Sequence, residues 1–197
     1  FLIEYFDNSI KTIEEVEKLG FTLLSAIPKI EREKLEKKIE KKWESFELLE
    51  AKNIESRLVT HFDPKSPISE AYRTLRTNLQ FSKIENAMKT ILVTSSGPKE
   101  GKSTTVANLA ITLAHLGSKV VLIDTDLRRP VLHSIFGMDK EDGLTNYMMG
   151  NVPFDNILKS TFMENLTLIS CGVLPPNPSE LLGSQKMENL IKKLRTK

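Results

Sequence analysis

Residues 90–130 decide the fold, and they read TILVTSSGPKEGKSTTVANLAITLAHLGSKVVLIDTDLRRP. The stretch contains two short apolar runs, one over residues 90–94 and one over residues 119–123. Between them, residues 102–116 place apolar side chains on one helical face, namely those of Val106, Leu109, Ala110, Leu113 and Leu116. Gly117 follows where a left-handed residue commonly ends a helix. The pattern predicts a strand, a helix and a second strand.

Apolar runs of this kind indicate parallel strands that are covered on both faces of the sheet. Residues 166–169 predict a further strand, and a last helix is predicted by the apolar stripe of Met187, Leu190, Ile191 and Leu194. The predicted fold class is therefore α/β. We expect a mostly parallel, doubly wound sheet like that of a P-loop NTPase, with helices on both faces.

Length and charge divide the chain of 197 residues into one globular domain and an appendage. Charged residues are denser before residue 57 than after it. Thr12 and Glu15 form the pattern of a capping box, which predicts a short helix that ends near Gly20. We expect an N-terminal segment over residues 1–28, a charged linker over 29–57 and a globular domain over 58–197. The linker is either an amphipathic helix, with a stripe of Leu35, Ile39, Trp43, Phe46 and Leu49, or a solvated tether.

Composition excludes several classes of protein. The net charge of +2 is too small for a protein that coats nucleic acid, so no nucleic-acid partner is expected. The single cysteine, Cys171, cannot form an internal disulfide, which favours a reducing compartment. No run reaches the roughly 20 apolar residues of a membrane-spanning helix.

The candidate site begins at the junction between the first predicted strand and its helix. A Gly-Lys-Ser sequence there is typical of a phosphate-binding loop, whose candidate residues are Gly97, Pro98, Lys99, Glu100, Gly101, Lys102, Ser103 and Thr104. Backbone amides would bind phosphate oxygens, Lys102 would neutralise the β and γ phosphates, and the Ser103 hydroxyl would ligate magnesium. The alternative is a tight turn with a lysine cap. Ser96 stands where the motif usually has its first glycine.

Two carboxylates, Asp124 and Asp126, follow the second predicted strand. The carboxyl ends of parallel strands are where open α/β sheets bind ligands, so we expect both to lie close to the loop. They would hold magnesium or accept a proton from an attacking hydroxyl. In the alternative interpretation, Asp124 caps a helix and Asp126 pairs with Arg128.

With these motifs, nearly the whole chain resembles the bacterial tyrosine kinases of the capsular and exopolysaccharide chain-length machinery, of the type in which copolymerase and kinase are fused. The most specific mark is VVLIDTDLRRP over residues 120–130, which resembles that family's additional Walker-type motif. Residues 70–76 match its Glu-x-x-Arg-x-x-Arg helix, and residues 176–182 match a loop of the family. Residues 12–28 are similar to the membrane-proximal segment that activates the kinase.

The resemblance implies an ATP-dependent and magnesium-dependent enzyme that transfers the γ-phosphoryl group to tyrosine hydroxyls, largely by autophosphorylation. By this resemblance, Lys102 is expected to bind phosphate and Ser103 is expected to bind magnesium. Asp124 carries over as a carboxylate that supports magnesium, and Asp126 as a magnesium-linked carboxylate and the base for the tyrosine proton. Lys102, Asp124 and Asp126 are therefore the expected catalytic residues.

The resemblance also implies partners. Glu70, Arg73 and Arg76 would join copies of the chain into a ring in which neighbours phosphorylate each other; on composition alone they would form a solvated face. Transmembrane copolymerase segments, in the same or a partner chain, and a cognate tyrosine phosphatase are further expected partners. The expected location is the cytoplasmic face of the bacterial inner membrane.

Two features depart from the family pattern. Lys99 replaces a loop glycine, and the family's second acidic motif, an apolar strand that ends in Asp, is absent after Asp126. We expect this strand, which follows the pattern called Walker B, to begin beyond Lys197, so that the native protein continues there.

Two other functions stay open. One is a partitioning-type switch ATPase, but these proteins typically have a second lysine at the position of Gly97, which argues against this function here. The other is a nucleotide-sensing scaffold with vestigial catalysis, which Lys99 and the absent acidic strand would favour.

Overall fold

The computed structural model describes residues 10, 12–29, 57–82 and 88–196. Its α-helices are α1 (Ile13–Lys18), α2 (Val59–Phe62), α3 (Pro67–Phe81), α4 (Lys102–Ala114), α5 (Leu132–Ile135), α6 (Leu144–Met149), α7 (Pro178–Leu182) and α8 (Gln185–Leu194). Its strands are β1 (Val120–Ile123), β2 (Lys159–Ser160) and β3 (Leu166–Ile169), and a 3-10 turn covers Phe154–Ile157.

The three strands form one sheet in the order β1, β3, β2. β1 and β3 are parallel, with Val120 beside Leu166 and Ile123 beside Ile169. The short β2 pairs antiparallel with β3. The backbone N–H of Asp124 donates to the carbonyl of Ile169 at 2.9 Å, so the pairing continues one residue beyond β1 and fixes Asp124 at its carboxyl end.

Buried side chains cover the sheet from both sides, because successive strand residues point to opposite faces. Leu122 and Leu168 pack with Ala107, Ala110, Ile111 and Ala114 of α4 in one hydrophobic cluster. Ile169 belongs to a second cluster with residues of α6 and α8, namely Leu144, Met148, Met187 and Leu190. The prediction of an α/β sheet with helices on both faces is confirmed, and so is the final helix.

The prediction of a strand over residues 90–94 is wrong, since the structure assigns no strand there. A strand is defined by the neighbour that receives its hydrogen bonds, and no described strand lies beside these residues. Their side chains stay open to solvent: Leu92 is 82% exposed and Ile91 is 37% exposed. An apolar run alone therefore did not determine the structure of this segment.

The N-terminal residues 12–29 carry α1 and an extended tail. The predicted capping box is present: the Thr12 hydroxyl accepts from the backbone N–H of Glu15, and the Glu15 side chain accepts from that of Thr12. The tail contacts α3, where the Ser25 hydroxyl donates to the Ala71 carbonyl at 2.9 Å and the Asn78 amide donates to the Leu24 carbonyl at 2.6 Å. Residues 30–56, which include the predicted linker stripe, lie outside the described residues. Among the helices that the structure describes, none is long and apolar enough to cross a membrane.

Candidate functional site

The loop between residues 94 and 101 delivers the chain to the N-terminus of α4. Gly101 is the N-cap residue and has a φ of +91°, a left-handed conformation that glycine adopts without strain. In the part of the chain that the structure describes, no side chain caps this helix, so the amides of its first turn keep their hydrogen-bonding capacity. Lys102, Ser103 and Thr104 form that turn, as the sequence predicts. A helix N-terminus with open amides binds anions.

Lys102 and Asp126 meet across the site, and the Nζ of Lys102 lies 2.7 Å from Oδ2 of Asp126. The other carboxylate oxygen, Oδ1, accepts from the backbone N–H of Arg129 at 2.9 Å. Burial acts to raise the pKa of Asp126, but hydrogen bonds from Lys102 and Arg129 outweigh it and hold that pKa below its usual range. Asp126 is therefore ionised at neutral pH and pairs with Lys102, not with Arg128.

Asp124 lies behind Asp126 and is only 3% exposed. Its Oδ2 accepts from the backbone N–H groups of Val131 and Leu132 at 3.1 and 3.0 Å, and its Oδ1 accepts from that of Asp126 at 3.2 Å. Burial raises the pKa of Asp124, and these backbone bonds offset part of that rise. The residue therefore anchors the loop between β1 and α5 through the backbone N–H groups of Val131 and Leu132, although the N-cap residue of α5 is Val131.

The loop itself is held by its own side chains. The Ser95 hydroxyl donates to the carbonyl of Gly97 at 2.8 Å, and the Ser96 hydroxyl donates to the Glu100 carboxylate at 2.9 Å. Lys99 has a φ of +66°, the left-handed region that favours glycine. The departure noted in the sequence therefore has a structural counterpart, because a lysine occupies a conformation that a glycine would adopt at lower cost.

An open cleft of about 450 Å³ joins the loop to the Asp-x-Asp motif, and it is lined by Thr94, Ser95, Ser96, Gly97, Pro98, Lys102, Asp126, Arg128 and Arg129. The structure thus brings together Lys102 and Asp126 as predicted. Arg128 and Arg129 were not among the predicted site residues. Their position directly after two site carboxylates was the signal in the sequence, since neighbours of a ligand-binding loop commonly line the same cleft. Both are exposed, and they add positive charge to the cleft.

The predicted oligomerisation residues lie on α3, outside this cleft. Arg73 bonds to the Glu70 carboxylate and to the Pro64 carbonyl. Arg76 instead turns toward α4, where its Nη1 donates to the Thr112 carbonyl at 3.2 Å, and its buried Nε has no partner among the described residues. The three side chains therefore do not form one uniform stripe, although Glu70 and Arg73 face solvent.

The residues of the site could hold a magnesium ion that is also bound by the phosphates of a substrate, but they offer too few ligands for magnesium on its own. Among the described residues, no group of three or more His, Cys, Asp or Glu is placed to hold a metal ion. Magnesium in nucleotide sites is commonly held by one or two carboxylates together with substrate phosphates. Asp126 lines the cleft and fits that arrangement, whereas Ser103 follows Lys102 in the first turn of α4 and is not among the residues that line the cleft. Asp124 already accepts three backbone hydrogen bonds and fits it less directly.

A glycine-rich loop that opens a helix, a lysine in its first turn and a carboxylate at the end of the neighbouring strand define a P-loop nucleotide-binding domain. Comparison with known proteins gives the same class. Residues 91–197 match the CobQ/CobB/MinD/ParA nucleotide-binding domain family. The chain belongs to this family and, within it, to the bacterial tyrosine kinases.

Similar sequences carry kinase names. Over 137 residues, 70% of this chain and 58% of the relative, the chain is 40% identical to tyrosine-protein kinase YwqD of Bacillus subtilis. Over 139 residues, 71% of this chain and 61% of the relative, it is 41% identical to the putative tyrosine-protein kinase CapB of Staphylococcus aureus. The chain thus spans about three fifths of the length of these two relatives.

Solved structures agree in fold. The chimerical protein CapA2B2 superimposes with a TM-score of 0.76 at 34% identity, covering 94% of this chain and 71% of that one. The kinase domain of the Escherichia coli tyrosine kinase ETK superimposes with a TM-score of 0.80 at 27% identity, covering 95% and 70%.

Proposed function

We propose that this chain is the catalytic part of an ATP-dependent protein tyrosine kinase, which phosphorylates itself and regulates the polymerisation and export of a capsular polysaccharide or exopolysaccharide. The observation that carries the proposal is the 2.7 Å contact between Lys102 and Asp126 at the edge of the cleft. It places the lysine of a phosphate-binding loop beside a carboxylate that lines the same cleft. The kinase names of similar proteins support the same activity.

ATP would lie in the cleft, with its phosphates at the open N-terminus of α4. Lys102 would bind the β and γ phosphates, together with the backbone amides of residues 99–104. Magnesium, when bound, would neutralise phosphate charge, with the Ser103 hydroxyl and Asp126 as its ligands and Asp124 supporting Asp126 from behind. Arg128 and Arg129 would add positive charge at the place where the γ-phosphoryl group meets the tyrosine.

In the transfer, the tyrosine oxygen forms a bond to the γ-phosphorus as the bond to the β,γ-bridging oxygen breaks, and ADP leaves. The proton of the tyrosine hydroxyl passes to the Asp126 carboxylate. Lys102 controls the strength of this base, because its hydrogen bond lowers the pKa of Asp126. When Lys102 turns to the phosphates, the Oδ2 atom of Asp126 is released from that bond and becomes available to magnesium or to the tyrosine proton.

The partners follow from the same proposal. Copies of the chain would assemble into a ring through α3, with Glu70 and Arg73 at the contact and Arg76 fixing α3 to α4, and neighbouring copies would phosphorylate each other. Residues 12–29 contact α3 through Leu24 and Ser25, which bond to Asn78 and Ala71, and this contact supports a link to transmembrane copolymerase segments at the cytoplasmic face of the inner membrane. A cognate tyrosine phosphatase would reverse the modification.

The test uses the full-length native protein with ATP and magnesium. Intact mass and antibodies against phosphotyrosine would be measured for the wild type, Lys102→Met and Asp126→Asn, with Lys119→Met as an exposed lysine control outside the site. We expect phosphotyrosine in the wild type and the control and at least a hundredfold less in both site variants. Nucleotide binding without phosphotyrosine in any sample would contradict the proposal and favour the sensing scaffold. Nucleotide-dependent dimerisation with phosphate release would instead indicate a switch ATPase.

A further inference from the structure

Ser96 and Glu100 close the phosphate-binding loop across its base. The Ser96 hydroxyl lies 2.9 Å from Oε1 and 3.1 Å from Oε2 of the Glu100 carboxylate. Hydrogen bonds from the backbone of Gly97 and from the Ser96 side chain hold the pKa of Glu100 below its usual range. The Glu100 side chain is therefore an anion that is held against Ser96 and Gly97 at the start of the loop.

The position of Glu100 makes the location of its charge important. It directly precedes Gly101, the N-cap of α4, and no described side chain caps the first-turn amides of that helix. A helix N-terminus attracts a nearby carboxylate and also binds phosphate, so a free Glu100 side chain would compete for the place of the nucleotide phosphates. In this structure, the carboxylate is turned to Ser96 and Gly97 instead.

The neighbouring backbone leaves room for this arrangement. A Cβ atom on Gly97 would lie 3.2 Å from Oε1 of Glu100, which is tighter than an ordinary contact. The Ser95 hydroxyl further fixes the turn through its hydrogen bond to the Gly97 carbonyl. Ser96, Gly97 and Glu100 thus lie in contact with one another within the loop.

We infer that Ser96 and Glu100 are a positioning pair, in which the serine hydroxyl holds the glutamate carboxylate away from the open N-terminus of α4 and so keeps the phosphate site free. The pair contacts no reacting atom. It acts by setting the affinity of the loop for the nucleotide phosphates. The inference rests on the proposed function only in that ATP is the ligand.

The experiment measures the dissociation constant of a fluorescent ATP analogue with magnesium, and the KM and kcat for ATP, in the full-length protein. Ser96→Ala removes the hydroxyl bond that holds the carboxylate and leaves only the backbone bonds, and we expect about fivefold weaker binding and an equally raised KM with kcat within twofold of the wild type. Ser96→Thr keeps the hydroxyl and should retain wild-type binding. Ser118→Ala removes an exposed hydroxyl outside the site and serves as the matched control.

The double variant Ser96→Ala/Glu100→Gln distinguishes two causes of weaker binding, namely competition between the Glu100 charge and phosphate, and a change in the shape of the loop. Glutamine carries no charge to compete with phosphate, so we expect the double variant to regain most of the affinity that Ser96→Ala loses. Wild-type affinity in Ser96→Ala would overturn the proposal, and so would a loss that Glu100→Gln fails to restore, because loop shape would then be its cause. If the wild type binds no ATP analogue at all, it is the proposed function that fails.

Discussion

The two sides of the candidate site are held in different ways. On the Asp-x-Asp side, residues 120–132 continue from a paired strand, and the buried Asp124 ties the following turn to the backbone. On the loop side, residues 94–101 follow a segment that has no strand neighbour among the described residues. Their shape depends on side chains within the loop and on α4 behind it. One side is fixed by the core, whereas the other is fixed locally.

Because of this difference, we expect substitutions on one side of the site to affect stability and substitutions on the other side to affect ligand binding. Residues that are bonded into the core contribute to the free energy of unfolding, while exposed loop groups contribute little to it and act mainly on the nucleotide. Substitutions on the Asp-x-Asp side should therefore lower stability according to burial. Substitutions on the loop side should alter binding while the fold remains intact.

The largest expected effect on stability comes from Asp124→Ala. Three backbone N–H groups would lose their acceptor, two of them in a turn that packs against the core. At about 1 kcal/mol for each lost hydrogen bond, the free energy of unfolding should fall by about 3 kcal/mol. Urea denaturation measures this fall, with Asp126→Ala as the matched carboxylate control, expected to cost less than about 1 kcal/mol because its ion pair is part-exposed. An equal fall in the free energy of unfolding in both variants would contradict this difference between the two carboxylates.

Tyr72→Phe tests how α3 supports the helix behind the loop. Tyr72 is 1% exposed, and its pKa is raised by burial and partly lowered by a hydrogen bond to the Thr105 side chain on α4. Phenylalanine keeps the ring and removes only the hydroxyl, so the free energy of unfolding should fall by about 1 kcal/mol. Tyr147→Phe is the matched control, since Tyr147 is less buried, and it should change the urea midpoint by less than half as much.

The sequence predicted most of the fold wherever a local pattern and the tertiary contacts agree. β1, α4 and the capping box of Thr12 and Glu15 follow from apolar spacing and capping chemistry, and all three are present. Residues 90–94 show the limit of this reasoning, because their pattern is that of a strand but strand formation requires a partner that local pattern does not specify. In the site, the juxtaposition of Lys102 and Asp126 followed from topology. The three amide bonds of Asp124 did not, because they depend on the path of the turn to α5.

The pH dependence of stability offers a finer test of the Lys102 to Asp126 pair. Because the folded pKa of Asp126 is lowered, the pair stabilises the protein above the unfolded pKa of about 3.9, and this contribution is lost as pH falls through the lower folded pKa. Its size should stay below about 1 kcal/mol, since both side chains are partly exposed. The difference in the free energy of unfolding between wild type and Asp126→Asn should therefore shrink below about pH 4. NMR titration of the Asp126 carboxyl in Lys102→Met should show a higher pKa than in the wild type.

The smallest expected effect concerns backbone strain in the loop. Lys99 adopts a φ of +66°, and a residue with a side chain loses about 1 kcal/mol there relative to glycine. Lys99→Gly removes that strain but gives the unfolded chain more freedom, so the net gain in the free energy of unfolding should be about 0.5 kcal/mol. Lys89→Gly is the matched control, because Lys89 is exposed and does not have a positive φ, and it should be neutral or destabilising. A loss of stability in Lys99→Gly would mean that the lysine side chain contributes more to the loop than its backbone costs. The loop would then be held by a contact of its own and would resemble the Asp-x-Asp side more closely than its hydrogen bonds indicate.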